Sequence, residues 1–502
     1  MENEKKLDIP LLFGIFTALF IVAFSFTMTS MAAPYIAYDL GGSGEISIYT
    51  VVFYGIGSAI SIPLGKPLAA RLKTGRALLV CLLLETLFTW GAATSPTYAI
   101  FICFRFLQGI AGGPFYPLLS HLLVSIVPPE KRLLTTSIFV TILVIVPALA
   151  TCWGGFIAYE YDWRWIFTFN IPWLLLLVGF LWQKLRDFSA APEKTAFDGI
   201  GYFFYAIGLF SLAVATTLAQ QLDWYRSPLL ETLTLIGAPC FLFFILWTRL
   251  SPHPLLDFDI LKKPLFCFSL FYLSLIFSIY FGMITLIPVW LKLYANYTPN
   301  WIAAILGGMA FSGFLPSYLI QQKMGKLDCR IPLAIALLCL ATASFYTTIF
   351  DVEINFGRIA FSRIIGGFGL AFFLPPLFQL AFKNVLDEKM IDHIGIFQIV
   401  RNLSAGLGVA LYDICLQRRQ AFFHERLGEK INSFSQLTKN FLAKAKGSWV
   451  PGDPNALLGE ALQRRATSLA LDDVFWLMSW ILVALLLSLG FTLVCKKETF
   501  RP

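Results

Sequence analysis

Two charged residues stand where charge is expensive. Glu85 sits in the middle of the apolar run ALLVCLLLETLFTWGAA, and Arg105 in the next one, YAIFICFRFLQGIAGG. The turn between the runs centres near Ser95, ten residues from each. If both runs are helices forming an antiparallel hairpin, the two side chains lie at equal depth, for Glu85 about eight residues or roughly 12 Å from the nearer end. In hydrocarbon each charge costs roughly 2.5–3.5 kcal/mol on insertion scales, so such groups seldom persist without a use. The chemistry open to them is reversible proton binding, by a carboxyl whose proton affinity depends on the distance to the cation. The expectation is an ion pair across the hairpin. The alternatives are a static pair, and a glutamate that packs elsewhere while Arg105 bonds the first apolar run.

The surrounding elements read as membrane helices. Of 502 residues 58% are hydrophobic and 14% charged, with a mean hydropathy of +0.73. Ordinary soluble domains carry roughly 25% charged residues. A helix crossing the bilayer needs about 20 apolar residues. Runs of that kind begin near Leu11, Ile48, Ala77, Tyr98, Leu133, Trp165, Gly199, Leu229, Leu265, Trp301, Ile331, Phe356, Ile394 and Val474. The fold class is therefore an all-α polytopic membrane protein with fourteen spans and both termini on one side. Basic residues concentrate in alternate loops (Lys66, Arg71, Lys73 and Arg76; Lys131 and Arg132; Lys184, Arg186 and Lys194; Arg249, Lys262 and Lys263; Lys323, Lys326 and Arg330; Lys383 and Lys389). The positive-inside bias assigns those loops, and both termini, to the cytoplasm. Lys5 and Lys6 precede a run longer than a signal-peptide core, which reads as an uncleaved first span. The net charge of +8 is thus a topology signal and not a nucleic-acid surface.

The stretch YDWRWIFTFNIPW, Tyr161–Trp173, falls at the outer face between spans five and six. Trp163 and Trp165 suit the headgroup zone. Asn170 and Pro172 fall one to two turns inside, where an amide needs a partner on another helix. Residues 417–470 read as a long outer loop holding amphipathic helices, set on the membrane surface or against a partner. Asp413 lies near the outer end of span thirteen and reads as a snorkelling side chain.

The chain also repeats itself. Arg105, Gly109, Phe115 and Pro117 recur as Arg363, Gly367, Phe373 and Pro375, always 258 residues apart. Both copies run from outside to inside, as a parallel duplication requires. Two halves follow, spans one to six and nine to fourteen, with spans seven and eight inserted. The domain reading is residues 1–190 for the N-terminal six-helix bundle, 191–263 for the inserted pair and 264–502 for the C-terminal bundle.

Taken together, DWRWIFTFNIP, HPLLDFDILKKPLF, RNLSAGLGVA, RFLQGIAGG and PLGKPLAARLKTGRALL resemble the motifs of the major facilitator superfamily, and specifically its fourteen-helix drug:proton antiporter branch of the EmrB/QacA type. The resemblance covers nearly the whole chain. It implies a major facilitator fold and multidrug efflux: export of amphipathic or lipophilic compounds across the inner (plasma) membrane by alternating access, coupled to protons. It implies a role in proton transfer or cavity structure for Arg105 with Gln108. Gly65, Arg71 and Arg76 become gating residues at the cytoplasmic helix ends, and Gly109, Pro147, Gly154 and Gly155 become packing and kink positions. Gln379, Gln398, Arg401 and Asn402 are further polar residues available to line a cavity. In two-membrane bacteria similar proteins work with a periplasmic adaptor, which the long outer loop would meet.

Three departures bear on the coupling. The acid this branch carries in span one is Ser25 here, the loop motif's acid is Ala70, and an inner Gly-Pro of span five is Ala150-Thr151. Glu85 is then the leading carboxyl. The competing readings are a transporter of one metabolite or siderophore, and a membrane scaffold or sensor of the same fold. Nothing points to an enzyme, a cofactor or a metal. The histidines form no HExxH, no GxxxxGKS/T loop occurs, and the nine cysteines contain no CxxC and read as packing thiols.

Overall fold

The computed structural model describes residues 8–43, 46–186, 188, 197–323, 327–351, 353–383, 390–431, 435–447 and 453–494. Of the residues used to assign the sides, Lys5, Lys6, Lys194, Lys326 and Lys389 lie outside this set.

Fourteen helices among the described residues are long and apolar enough to cross a membrane. Spans one to six are Ile9–Thr27, Tyr49–Leu72, Thr74–Ala93, Tyr98–Ile126, Ile138–Glu160 and Arg164–Leu185; spans seven and eight are Gly199–Leu218 and Pro228–Leu250. Spans nine to fourteen are Pro264–Leu293, Pro299–Ile320, Arg330–Thr347, Phe356–Phe382, Asp392–Gly428 and Pro454–Gly490. Their starts follow local chemistry. Asp8, Asp198 and Asn355 each accept a bond from a first-turn amide, and proline opens spans eight, nine, ten and fourteen, where its missing N–H costs nothing.

Spans one to six and nine to fourteen form two six-helix bundles. Spans seven and eight pack on each other, and span seven lies against span two, where Tyr205 donates to the Ala59 carbonyl at 2.9 Å. The bundles meet along spans two and thirteen and spans five and ten. Asn402 Nδ2 donates to Ser58 Oγ at 2.7 Å, Thr141 and Ser317 share a hydroxyl–hydroxyl bond of 3.1 Å, and Tyr280 donates to the Val144 carbonyl at 2.9 Å. Polar side chains at such a seam can bond across it and so hold neighbouring helices together.

The repeat has a structural basis in its glycines. A Cβ on Gly109 would lie 2.1 Å from the Tyr54 carbonyl oxygen of span two, and one on Gly367 would lie 2.1 Å from the Met309 carbonyl oxygen of span ten. Each is the point where two helix backbones touch, at the same place in each half. Phe115 and Phe373 are both fully buried.

Most of the described residues of 417–470 are helical and continue the spans on either side. The span-thirteen helix runs unbroken over Met390–Gly428, the span-fourteen helix begins at Pro454 and not near Val474, and Gln436–Gly447 forms a short helix between them. The 39 residues of Met390–Gly428 make roughly 58 Å of helix, well beyond the roughly 30 Å of hydrocarbon. The charges after Asp413 mark the bilayer's edge and not the helix's end, because Gln, Arg, Glu, Ala and Leu all favour helix and no glycine interrupts them before Gly428. The two helices are tied together by the Arg419–Asp473 ion pair. Asp413 accepts from Gln417, one turn further out on the same helix.

Candidate functional site

Glu85, Arg105 and Gln108 come together, all fully buried, inside the N-terminal bundle. The expected direct ion pair across the hairpin is absent, because Gln108 stands between the charges. Its Oε1 accepts from Arg105 Nη1 at 2.6 Å, and its Nε2 donates to Glu85 Oε1 at 3.0 Å and to Thr89 Oγ1 at 2.9 Å. Sequence shows equal depth but not facing. An amide one turn after the arginine is the right length to bridge two helices.

Arg105 is saturated elsewhere. It donates to the carbonyls of Thr50 (3.0 Å), Ser25 (3.0 Å) and Phe26 (3.1 Å), and its guanidinium lies 4.7 Å from the Tyr54 ring centre. One cation thus holds spans one, two and four together. Ser25 lies beside the Glu85 carboxyl without a well-formed bond to it, and Glu85 Oε2 has no hydrogen-bond partner. The carboxyl that the resembling branch carries on span one is therefore supplied from span three at the same spot. Arg363, the repeat of Arg105, turns the other way, to Ser362 (2.8 Å) and Thr347 of its own half, with Phe475 against its guanidinium.

The remaining candidates divide by place. Arg401, Asn402 and Gln398 are buried where span thirteen meets the other bundle. Gln379 lies apart, half-buried, accepting from Cys329. Cβ atoms on Gly154 and Gly155 would come within 1.7 Å of the Met28 carbonyl oxygen and 2.1 Å of Met31 Sδ, so span five lies directly on the end of span one. The Pro147 carbonyl accepts from the Thr27 and Thr151 hydroxyls at 2.9 Å each. Thr151, where the branch has proline, thus stitches the kink with a hydroxyl.

At the span ends that carry the basic loops, Gly65 packs on Pro117, Arg71 stacks on Phe197, and Arg76 donates to the Arg186 carbonyl at 2.8 Å, closing the C-terminus of span six. Sequence reading took Lys66 only for a topology charge. It pairs with Asp392 at 2.7 Å, joining neighbouring ends of spans two and thirteen and hence the two halves. Nothing in the sequence signals that pairing, because the partners are 326 residues apart. Tyr54 and Tyr116, the aromatic faces under Arg105 and Arg401, are equally invisible among 49 phenylalanines and 18 tyrosines.

The outer stretch differs from expectation in one ring. Trp165 is exposed as a headgroup tryptophan should be, but Trp163 is buried against Phe101 and Phe167. The reason is its Nε1–H, which donates to Asp39 at 3.0 Å while Arg164 pairs with the same oxygen at 2.9 Å. Asn170 finds its partner across helices in Met28 Sδ at 3.3 Å. The hydrogen bond from Trp163, assisted by Arg164, lowers the pKa of Asp39 below its ordinary 3.8. A lowered carboxyl stabilises the fold above its unfolded value and loses that contribution as pH falls through the folded one. Asp39→Asn should therefore lower the melting temperature slightly at pH 7, by a few degrees at most for so exposed a pair. The difference from wild type should close on acidification below the ordinary carboxylate range, measured by thermal melts in detergent.

The described residues line recesses at two places relevant to transport. A cavity of 810 Å3 lies in the outer half between spans one, five, six and ten, walled by Phe20, Phe24, Trp153, Phe156 and Trp173. It is almost wholly apolar, and of those side chains Phe24 is buried and the other four are exposed. A second, of 520 Å3, lies at the outer ends of spans nine, thirteen and fourteen and carries Asp413, His424 and Glu425. Among the described residues no cluster of His, Cys, Asp or Glu is arranged to hold a metal ion.

The chain is similar to known proteins along its length. The multidrug export protein EmrB of Escherichia coli (strain K12) is 25% identical over 492 residues, 97% of this chain and 96% of that one. The fatty acid resistance protein FarB of Neisseria gonorrhoeae is 27% identical over 418 residues, 83% of this chain and 82% of that one. Among solved structures, the peptide transporter POT in complex with sulfate superposes with a TM-score of 0.61 at 16% identity, covering 96% of this chain and 95% of that one, a likeness of fold. The family model of the Major Facilitator Superfamily matches residues 15–409, and the chain, a multi-pass membrane transporter by fold and sequence, belongs to that superfamily.

Proposed function

We propose that the protein exports amphipathic or lipophilic compounds across the inner membrane in exchange for protons, by rocking of the two bundles about their shared seam. The observation that carries this reading is the 810 Å3 recess between spans one, five, six and ten, lined by aromatic rings. A compound dissolved in the membrane can enter it without crossing water, and binding there is driven by burial of apolar area. EmrB and FarB, named for multidrug export and fatty acid resistance, support the same direction of transport.

Proton coupling is assigned to Glu85. Its free oxygen and its bridge through Gln108 to Arg105 allow the carboxyl to gain a proton and release the arginine's partner when the bundle rearranges. The Lys66–Asp392 pair closes the cytoplasmic end of the seam, taking over from the latch that Ala70 cannot make. Both termini are assigned to the cytoplasm, from the loop charges. The helical extensions at 417–470 then stand outside, as surface for a periplasmic adaptor. Substrate added to the purified protein in weakly buffered detergent should release protons in proportion to binding, read with a pH dye. A saturable binder that releases none would point instead to a facilitator, scaffold or sensor.

A further inference from the structure

Spans seven and eight belong to neither half of the repeat, and the rocking of two bundles does not require them. Their place is nonetheless specific. The seam between spans two and thirteen is pinned directly at one end by Lys66 and Asp392 (2.7 Å) and midway by Asn402 and Ser58 (2.7 Å). Tyr49 opens span two, roughly 25 Å of helix away from Lys66. At that far end a recess of 520 Å3 lies between the two spans. Ser47 and Ile48 line it from one side, and Asp413, Gln417 and Gln420 of span thirteen from the other. The inserted pair bridges this end.

Two neighbouring glutamines, just past the end of span seven, reach to opposite halves. Gln221 Oε1 accepts from the Tyr49 hydroxyl of span two. Gln220 Oε1 accepts from Arg418 Nε of the span-thirteen helix at 3.1 Å and from Trp224 Nε1 at 3.2 Å. The Arg418 guanidinium also lies 4.7 Å from the Trp224 ring centre, so an amide and an aromatic face hold it together. The backbone is bent to arrange this. Asp223 and Trp224 have φ of 52° and 56°, the left-handed region that a bulky residue such as tryptophan rarely enters. Such backbone persists only where surrounding contacts impose it. Here Trp224 N–H donates to the Ala219 carbonyl at 2.8 Å, and the indole turns back onto Gln220 and Arg418. Span seven itself rests on span two through Tyr205 and runs beside the span-thirteen helix. Arg418 and Trp224 are both exposed, so the arginine can exchange these partners for water at little cost. A contact made and broken in every cycle needs that property.

We propose that the loop between spans seven and eight is a clasp on the seam, in which Gln220 and Trp224 hold Arg418 and so keep the recess between spans two and thirteen from opening. When the bundles rock apart at this end, the insert stays with span two, held by Gln221, and Arg418 leaves. The seam of spans five and ten needs no such device, because Asn300 donates directly to Glu160 across it at 2.6 Å. The clasp has no other role than to bias one conformation against the other, and a bias of that kind sets how often the recess opens. This rests on the export reading and deepens it, by naming a contact that sets the balance between the two states of the transporter.

The test locks each glutamine in turn, in the full-length protein with its native cysteines replaced by serine. Gln220→Cys with Arg418→Cys, joined by a reducible bis-maleimide, should cut export of a dansylated alkyl amide from proteoliposomes to about a tenth or less. Reductant should restore it. Gln221→Cys with Tyr49→Cys, joined in the same way, should leave export within about twofold, because the insert and span two move as one body. Thr467, fully buried in the wall of the recess, reports opening without transport. Labelling of Thr467→Cys by a charged maleimide should quicken about tenfold in Arg418→Ala and in Trp224→Ala, which lose a charge-assisted bond or an aromatic partner, with the melting temperature held. If one of these loosened variants does not fold, the other decides. Export undiminished by the Gln220–Arg418 link, equal loss from both links, or unchanged labelling in a folded loosened variant overturns the clasp. The export reading fails separately. A protein that moves no amphiphile but labels faster when loosened upholds the clasp and sinks export. One that exports through the closed link upholds export and sinks the clasp.

Discussion

Glu85→Gln abolishes proton-driven export: in proteoliposomes with an imposed pH gradient, uptake of substrate into inverted vesicles should fall to about a hundredth of wild type or less. The reasoning is one of charge alone. The substitution keeps volume and shape, and the new amide can still accept from Gln108, so the bundle around it has no cause to move. What it removes is the one buried carboxyl among the described residues. A group that cannot change its charge makes no differential contribution to the two conformations, and a proton gradient can shift an equilibrium only through such a difference. Binding of a neutral amphiphile should stay within a few-fold of wild type, and the melting temperature should hold or rise, because a desolvated charge has been replaced by a neutral group. Glu85→Asp keeps the acid but draws it back from Gln108, so it should couple partially. Full pH-driven transport in Glu85→Gln would remove Glu85 from the mechanism and return the trio to a structural anchor around Arg105.

Gly154→Ala should cost the fold itself. The added Cβ would sit 1.7 Å from the Met28 carbonyl oxygen, a backbone atom that cannot swing aside, so spans one and five would have to move apart by more than an ångström. Overpacking of this kind usually costs about 1–3 kcal/mol and more where backbones meet, so about 3 kcal/mol is expected, with a sharp fall in monodisperse yield. The displacement also breaks the bond from Thr27 to the Pro147 carbonyl. Gly307→Ala is the control. It lies on the facing span ten, and its Cβ would rest in ordinary contact, 3.8 Å from Cys152 Sγ. Size-exclusion profiles and thermal melts of the two variants should differ plainly. Equal behaviour would mean that the close crossing of spans one and five is not required.

Much of the architecture was legible because hydrophobic length is a local property. A run of about 20 apolar residues can satisfy its backbone in a bilayer only as a helix, so the fourteen spans and their approximate starts could be counted. The repeat was legible for a related reason: Gly109 and Gly367 mark places where only the absence of a Cβ permits two backbones to touch, and that demand shows in residue type. The ends of spans thirteen and fourteen were misjudged because hydropathy reports where the membrane stops and says nothing of where a helix does. Trp163 was placed at the lipid surface because a tryptophan's usual site is there; its hydrogen bond to Asp39, across 124 residues, drew it inside.

By itself the sequence determined that this protein spans the membrane fourteen times, in two related halves, and that Glu85, Arg105 and Gln108 are polar groups too costly to bury idly. Those conclusions rest on composition, length and spacing, which the chain carries before it folds. Only the tertiary structure decided how the polar groups are wired. It put Gln108 between the two charges, set Ser25 beside Glu85, turned Arg363 away from the role of its repeat, and paired Lys66 with Asp392. The physical reason is that a side chain's depth in the membrane follows from counting along its helix, whereas the direction it faces and the group it meets depend on how each helix is rotated against neighbours hundreds of residues away.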